Sequence, residues 1–79
     1  MGKKVRIYTT NSCVYCNKAK DFFRKNRIGF EEINVEQDSA KQGELLEKSG
    51  QFGVPVIEVE GRMLIGWNEG RFREMMEDL

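Results

Sequence analysis

Cys13 and Cys16 are the residues of this sequence whose type and spacing could carry out redox chemistry. They are its only cysteines, and two residues separate them. A structural crosslink that closes so short a loop stabilises a fold by about 2 kcal/mol at best, against roughly 4–5 kcal/mol for a long loop. We therefore interpret the pair first as a redox couple, in which Cys13 attacks an external disulfide and Cys16 resolves the mixed disulfide.

The position of the pair supports this chemistry more strongly than its spacing alone. Residues 9–16 lead from the end of a predicted strand into the start of a predicted helix. A helix N-terminus presents free backbone N–H groups and the positive end of the helix dipole, which stabilise a thiolate at Cys13 by about 0.3–1 kcal/mol. Cys16 lies one turn further along, on the same side and within disulfide reach. The sequence contains no histidine, which excludes histidine-based acid–base catalysis and most mixed-ligand zinc sites.

The hydrophobic pattern predicts the strands and helices that position the pair. Alternating, β-rich segments predict four strands, over Lys4–Thr9, Phe30–Val35, Pro55–Val59 and Arg62–Ile65. A helical period predicts three helices. The first runs from Val14 to about Arg27, the second is capped by Asp38 or Ser39 and stops at Gly50, and the third is capped by Asn68 and reaches Leu79. We expect Gly29 to end the first helix in a left-handed conformation. The order β-α-β-α-β-β-α indicates an α/β fold with a four-stranded mixed sheet flanked by three helices.

Composition and charge limit the functions open to the chain. Its 79 residues predict a single domain spanning residues 1–79, which we expect to be a monomer with no bound cofactor or metal. Its 13 basic residues balance 13 acidic ones, so no net charge attracts nucleic acid or an anionic membrane surface. No apolar run approaches transmembrane length, and no apolar segment follows Lys3 and Lys4 as it would in a signal peptide. We therefore expect a cytoplasmic protein.

Three motifs give the chain a resemblance to the glutaredoxins. They are the strand followed by C-V-Y-C at residues 13–16, the later step Gly53-Val54-Pro55, and Leu64-Ile65-Gly66 before the last helix. The resemblance covers essentially the whole chain. It implies a thioredoxin-like fold and a dithiol thiol–disulfide oxidoreductase that reduces protein disulfides or mixed disulfides with glutathione.

The same resemblance implies roles for residues outside the cysteine pair. Pro55 would be cis and lie opposite the pair, leaving the backbone of Val54 free to pair with a substrate chain. Tyr15 would flank Cys13 and shape the substrate groove. Gln42 matches a glutamine that contacts glutathione in some members, which makes glutathione an expected co-substrate.

The sequence also departs from the usual glutaredoxin pattern. Val14 stands where the family usually has proline, Thr10 where many members have lysine, and Phe52 where many have a basic residue. After the last strand, Gly66 is followed by Trp67 instead of a second glycine. Both are expected to contact the substrate, although Trp67 could equally pack on the last helix at the rim of the site. A glycine followed by an aromatic residue resembles the small redoxins reduced by thioredoxin reductase. The expected electron donor is therefore either glutathione or a flavin disulfide reductase of that type.

A metal-binding module that uses the same cysteines is the alternative function. A copper or zinc carrier of the heavy-metal-associated type also has C-x-x-C after its first strand, but it would need methionine at the position of Asn11. Its order, β-α-β-β-α-β, leaves the helix at Ser39–Ser49 misplaced and Pro55 unexplained. A carrier that shares an Fe–S cluster between two chains usually keeps a single cysteine, in C-G-F-S.

Overall fold

The sheet that carries the candidate site is built in the predicted order. The computed structural model describes residues 3–78. The strands are β1 (Val5–Thr9), β2 (Glu31–Asn34), β3 (Val56–Val59) and β4 (Arg62–Ile65). The helices are α1 (Val14–Lys25), α2 (Ser39–Ser49) and α3 (Glu69–Asp78). The strand order is β2-β1-β3-β4, with β1 parallel to β2 and antiparallel to β3, and β3 antiparallel to β4. The predicted α/β fold with a mixed sheet is confirmed.

The two faces of the sheet bury different sets of side chains, because neighbouring residues of a strand point to opposite faces. One face packs against α1 and α3 and contains Val5, Ile7, Ala19, Phe23, Ile57, Val59, Leu64, Phe72 and Met75. The other face packs against α2 and contains Tyr8, Ile33, Val35, Leu45 and Val56. The central strand β1 therefore contributes to both layers, and its C-terminal end leads directly into the cysteine pair.

The end of α1 differs from the prediction. Arg27, with φ 57°, occupies the left-handed position, and the prediction for Gly29 is wrong. The N–H of Ile28 donates to the carbonyl of Phe23 at 2.7 Å, and the N–H of Arg27 donates to that of Arg24 at 3.2 Å. This is a Schellman motif, whose accompanying apolar contact is between Ile28 and the core around Phe23. The packing of Ile28, and not the glycine, sets where the helix ends.

The other helix ends follow the sequence signals. The side chain of Asp38 accepts from the N–H of Lys41 at 3.0 Å, which caps α2, and Gly50 ends that helix in a left-handed conformation with φ 80°. The side chain of Asn68 accepts from the N–H of Arg71 at 3.0 Å, as expected of a cap for α3. The predicted last residue of α3, Leu79, lies outside the described residues.

Polar side chains of β1 form hydrogen bonds with residues of α2 and β2. The buried Tyr8 hydroxyl donates to Glu44 of α2 at 2.7 Å. Burial and this hydrogen bond raise the pKa of Tyr8, and the same bond lowers the pKa of Glu44. At the end of β1, Thr9 donates to Glu32 at 2.8 Å, and Lys20 of α1 binds the same carboxylate at 2.9 Å, which lowers the pKa of Glu32. These contacts fix the strand end from which the cysteine loop begins.

The packing of α2 predicts unequal effects of two adjacent alanine substitutions. Leu45 is fully buried whereas Leu46 is 41% exposed. Leu45→Ala should lower the free energy of unfolding by about 2–5 kcal/mol, because it leaves a cavity in the core. Leu46→Ala is the matched control and should cost about 1 kcal/mol or less. Urea denaturation followed by circular dichroism measures both, and equal losses would contradict this packing of α2.

Candidate active site

The cysteine pair lies where β1 gives way to α1. Cys13 is the N-cap of α1, with an extended backbone at φ −88° and ψ 109°, and Cys16 lies in the first turn. A disulfide joins the two residues, whose Cα atoms are 5.2 Å apart. The N–H of Cys16 points at the sulfur of Cys13 at 3.1 Å. The geometry places a backbone donor and the positive end of α1 against Cys13, which favours negative charge on that sulfur when the bond is reduced.

The two sulfurs have different surroundings. Cys13 is half-buried, whereas Cys16 has no exposed surface. The sulfur of Cys16 lies 3.9 Å from the carbonyl oxygen of Tyr8, to which a thiol can donate and which disfavours a thiolate. An external disulfide can therefore approach Cys13, while the buried sulfur of Cys16 is shielded from it. This asymmetry is what a two-step exchange needs, with one attacking and one resolving cysteine.

The segment before β3 lies beside the end of β1, from which the cysteine loop begins, because Tyr8 pairs with Val56 in the antiparallel register. The Val54–Pro55 bond is cis, as the resemblance implied. Pro55 is buried, and its carbonyl accepts from the N–H of Gly66 at 2.8 Å. Within residues 3–78, no partner bonds the backbone N–H or carbonyl of Val54. Gly66 has φ 83°, a conformation that side chains rarely adopt, so glycine is favoured where the chain turns from β4 toward α3.

The predicted aromatic neighbours of the site divide into two groups. Tyr15 is 57% exposed in the first turn of α1, beside Cys13, and the ammonium of Lys18 lies 5.0 Å from the centre of its ring. Trp67 packs instead between α1 and α3, with ring centres 5.3 Å from Phe22 and 5.7 Å from Phe72. The structure thus gives Trp67 a packing role, and its predicted contact with a substrate stays a prediction.

Gln42 lies on a groove beside the cysteine loop. The groove has a volume of about 470 Å³ and is lined by Thr10, Val35, Glu36, Gln42 and Phe52. The amide nitrogen of Gln42 donates to the carbonyls of Val35 at 2.7 Å and Glu36 at 3.2 Å. Its donors therefore hold the backbone that follows β2, and a contact between Gln42 and glutathione stays a prediction.

A polar network that sequence reasoning missed holds the cysteine loop. The N–H of Asn11 donates to Glu36 at 2.8 Å, and the side chain of Asn34 donates to that of Asn11 at 2.8 Å. The N–H of Glu36 in turn donates to Asn34 at 2.9 Å. Asn11 is adjacent to Ser12, so the network positions the residues leading into Cys13. Asn11 lies 23 residues from Asn34 and 25 residues from Glu36, so no local pattern could have joined it to them.

Residues 3–78 contain no group of three or more histidine, cysteine, aspartate or glutamate side chains arranged to hold a metal ion. No helix in this range is long and apolar enough to cross a membrane. The element order also differs from the β-α-β-β-α-β order of a heavy-metal-associated carrier, so that alternative is wrong on the fold itself.

Comparisons with known proteins identify the family. A family model described as Glutaredoxin matches residues 5–64. The chain is 33% identical over 73 residues to an uncharacterized glutaredoxin-like 8.6 kDa protein in the rubredoxin operon of Clostridium pasteurianum, covering 92% of this chain and 97% of that protein. It is 31% identical over 65 residues to glutaredoxin 3 of Escherichia coli (strain K12), covering 82% and 78% of the two chains.

A solved structure shows the same fold. The crystal structure of the glutaredoxin (grx-1) from Archaeoglobus fulgidus matches with a TM-score of 0.80 at 24% identity, covering 92% of this chain and 85% of that one. The fold is therefore thioredoxin-like, and it carries a disulfide-bonded cysteine pair at the start of α1. The chain belongs to the glutaredoxin family and is a thiol–disulfide oxidoreductase.

The unequal surroundings of the two sulfurs predict unequal reactivity in the reduced protein. At pH 7, Cys13 should be alkylated by iodoacetamide at least about tenfold faster than Cys16, because the thiolate reacts and the Cys16 sulfur is buried. Mass spectrometry of peptides from a time course measures the two rates separately. Modification of Cys16 at the same rate or faster would contradict the assignment.

Proposed function

We propose that the chain reduces disulfides through a dithiol cycle at C-V-Y-C, with Cys13 as the nucleophile and Cys16 as the resolving residue. The contact that carries this proposal is the N–H of Cys16, 3.1 Å from the sulfur of Cys13. This contact supports negative charge on Cys13 in the reduced protein, and the burial of Cys16 supports its role in the second step. A structural crosslink would gain nothing from such an asymmetry.

The cycle transfers two electrons to the substrate. The Cys13 thiolate attacks one sulfur of a substrate disulfide, which forms a mixed disulfide and releases the other sulfur as a thiolate. Cys16 loses its proton, attacks the sulfur of Cys13 and releases the second substrate thiolate. The protein then contains the Cys13–Cys16 disulfide, and an external thiol or dithiol reduces it. Holding Cys16 beside Cys13 makes the resolving step intramolecular, which accelerates it.

The substrate is proposed to dock along Val54. An extended segment can pair with the free N–H and carbonyl of Val54, while Pro55 closes the inner side of the groove. Tyr15 would form the outer wall beside Cys13, and Gly66 would leave room for close approach of the substrate backbone. We place this activity in a single-domain monomer of residues 1–79 in the cytoplasm, where it would carry electrons to protein disulfides and so maintain cell redox balance.

The electron donor is proposed to be a flavin disulfide reductase of the thioredoxin-reductase type, with glutathione a poor substitute. Glutathione carries two carboxylates, and binding them calls for cations or free N–H donors. The lining of the groove beside the pair contains Glu36 and no cation, and the amide donors of Gln42 are already bonded. Glu36 would repel a carboxylate at this position.

Serine substitutions separate the two cysteines by role. Cys13→Ser should abolish reduction of a peptide disulfide, because no nucleophile remains in reach of the substrate. In the Cys16→Ser variant, Cys13 should still attack the substrate, but the mixed disulfide on Cys13 should accumulate. Intact-mass spectrometry detects this species. Full multiple-turnover activity of Cys13→Ser would show that the proposed nucleophile is wrong.

The donor is tested by supplying one reductant at a time. Turnover of a peptide disulfide should be at least about tenfold faster with thioredoxin reductase and NADPH than with glutathione, glutathione reductase and NADPH. Consumption of NADPH, followed at equal concentrations of the protein, measures both rates. Fast turnover with glutathione alone would refute the reductase as donor while leaving the dithiol cycle intact.

A further inference from the structure

The groove lined by Thr10, Val35, Glu36, Gln42 and Phe52 lies at the same end of the sheet as the cysteine pair. Thr10 follows β1 and Val35 follows β2, and these parallel strands end at one edge of the sheet. The groove is tied to the redox loop by the bond between Asn11 and Glu36. Asn11 is two residues before Cys13, so their Cα atoms are at most about 7.6 Å apart. A side chain next to a bound disulfide can therefore reach this groove.

The free polar atoms of Glu36 and Gln42 in the groove are acceptors, and the Thr10 hydroxyl can donate or accept. One oxygen of Glu36 accepts from the N–H of Asn11, and the other has no bonding partner within residues 3–78. The amide nitrogen of Gln42 is used by two backbone carbonyls, which leaves its oxygen as the group that can bind a ligand. The neighbouring cation, Lys41, is paired with Glu44 at 3.7 Å. The groove therefore presents a negative charge and an amide oxygen, without a lining cation.

An apolar wall completes the groove. Phe52 is 60% exposed and lines the groove beside these acceptors. An aromatic face next to a carboxylate suits a side chain with an apolar or planar stem and a cationic head. Arginine and lysine have this combination, and glutamate, aspartate and the carboxylates of glutathione do not.

We propose that this groove binds an arginine or lysine side chain that flanks the disulfide of a protein substrate. The head would bind Glu36 and the oxygen of Gln42, and the stem would pack on Phe52. The groove would then select, among disulfides that reach Cys13, those with a basic neighbour. This inference rests on the proposed function, because it assigns the substrate class of the same site.

Short peptides that differ in one charge test the proposal. Each peptide has a single cysteine in mixed disulfide with 2-mercaptoethanol, flanked on both sides by arginine, glutamine or glutamate. The measured quantity is the rate constant for reduction by the prereduced protein, so no electron donor enters the assay. The arginine peptide should react about five- to tenfold faster than the glutamate peptide at low salt, and high salt should reduce this ratio.

Substitutions at Glu36 test whether the preference for a basic neighbour of the disulfide arises in the groove. Glu36→Gln keeps an oxygen to accept from Asn11 but removes the charge, so the arginine-to-glutamate ratio should fall below about twofold. Glu36→Lys should reverse it. Glu47→Gln, at an exposed position of α2 outside the groove, is the matched control and should keep the wild-type ratio.

The outcomes distinguish this inference from the proposed function. An arginine-to-glutamate ratio near one in the wild-type protein, or the same ratio in Glu36→Gln as in wild type, would overturn the proposal that the groove binds a basic side chain. Either result would leave the dithiol cycle intact. Failure of the wild-type protein to reduce even the glutamine peptide would overturn the proposed function and this inference together.

Discussion

The chemistry of this protein depends on one backbone contact, from the N–H of Cys16 to the sulfur of Cys13. The contact forms only if Cys13 is the N-cap of α1, since the first-turn N–H groups of a helix have no partner within the helix. The position of that helix end depends in turn on β1, which is held by packing on both faces and by hydrogen bonds to Glu32 and Glu44. The fold thus positions a backbone N–H donor at the sulfur of Cys13 and buries the sulfur of Cys16.

The sequence predicted the elements well where the signal is local. Amphipathic spacing and the caps Asp38 and Asn68 identified all three helices, because hydrogen bonds of a helix and its caps join residues close in sequence. The end of α1 was mispredicted for a nonlocal reason. Gly29 is the residue best suited to a left-handed turn, but burying Ile28 against the core outweighs the cost of a left-handed Arg27.

The candidate site was only partly accessible from the sequence. Spacing and helix position identified Cys13 and Cys16, and the family resemblance supplied the cis bond at Pro55. Side-chain partners were not accessible, because they depend on which segments the fold brings together. From the sequence, Trp67 could equally have faced the site or the helices. No sequence pattern predicted the hydrogen bond between the N–H of Asn11 and Glu36. The acidic groove follows from the meeting of strand ends that are far apart in the chain.

A redox titration of the Cys13–Cys16 pair tests the central claim most directly. The oxidised and reduced fractions are measured by thiol alkylation and intact mass across buffers of defined potential. Structural disulfides have midpoints below about −300 mV, whereas thioredoxin-type pairs that exchange electrons lie between roughly −120 and −270 mV. The account predicts a reversible two-electron transition more positive than about −300 mV. A pair that stays oxidised down to that potential would contradict it, and Cys13–Cys16 would then be a structural bond.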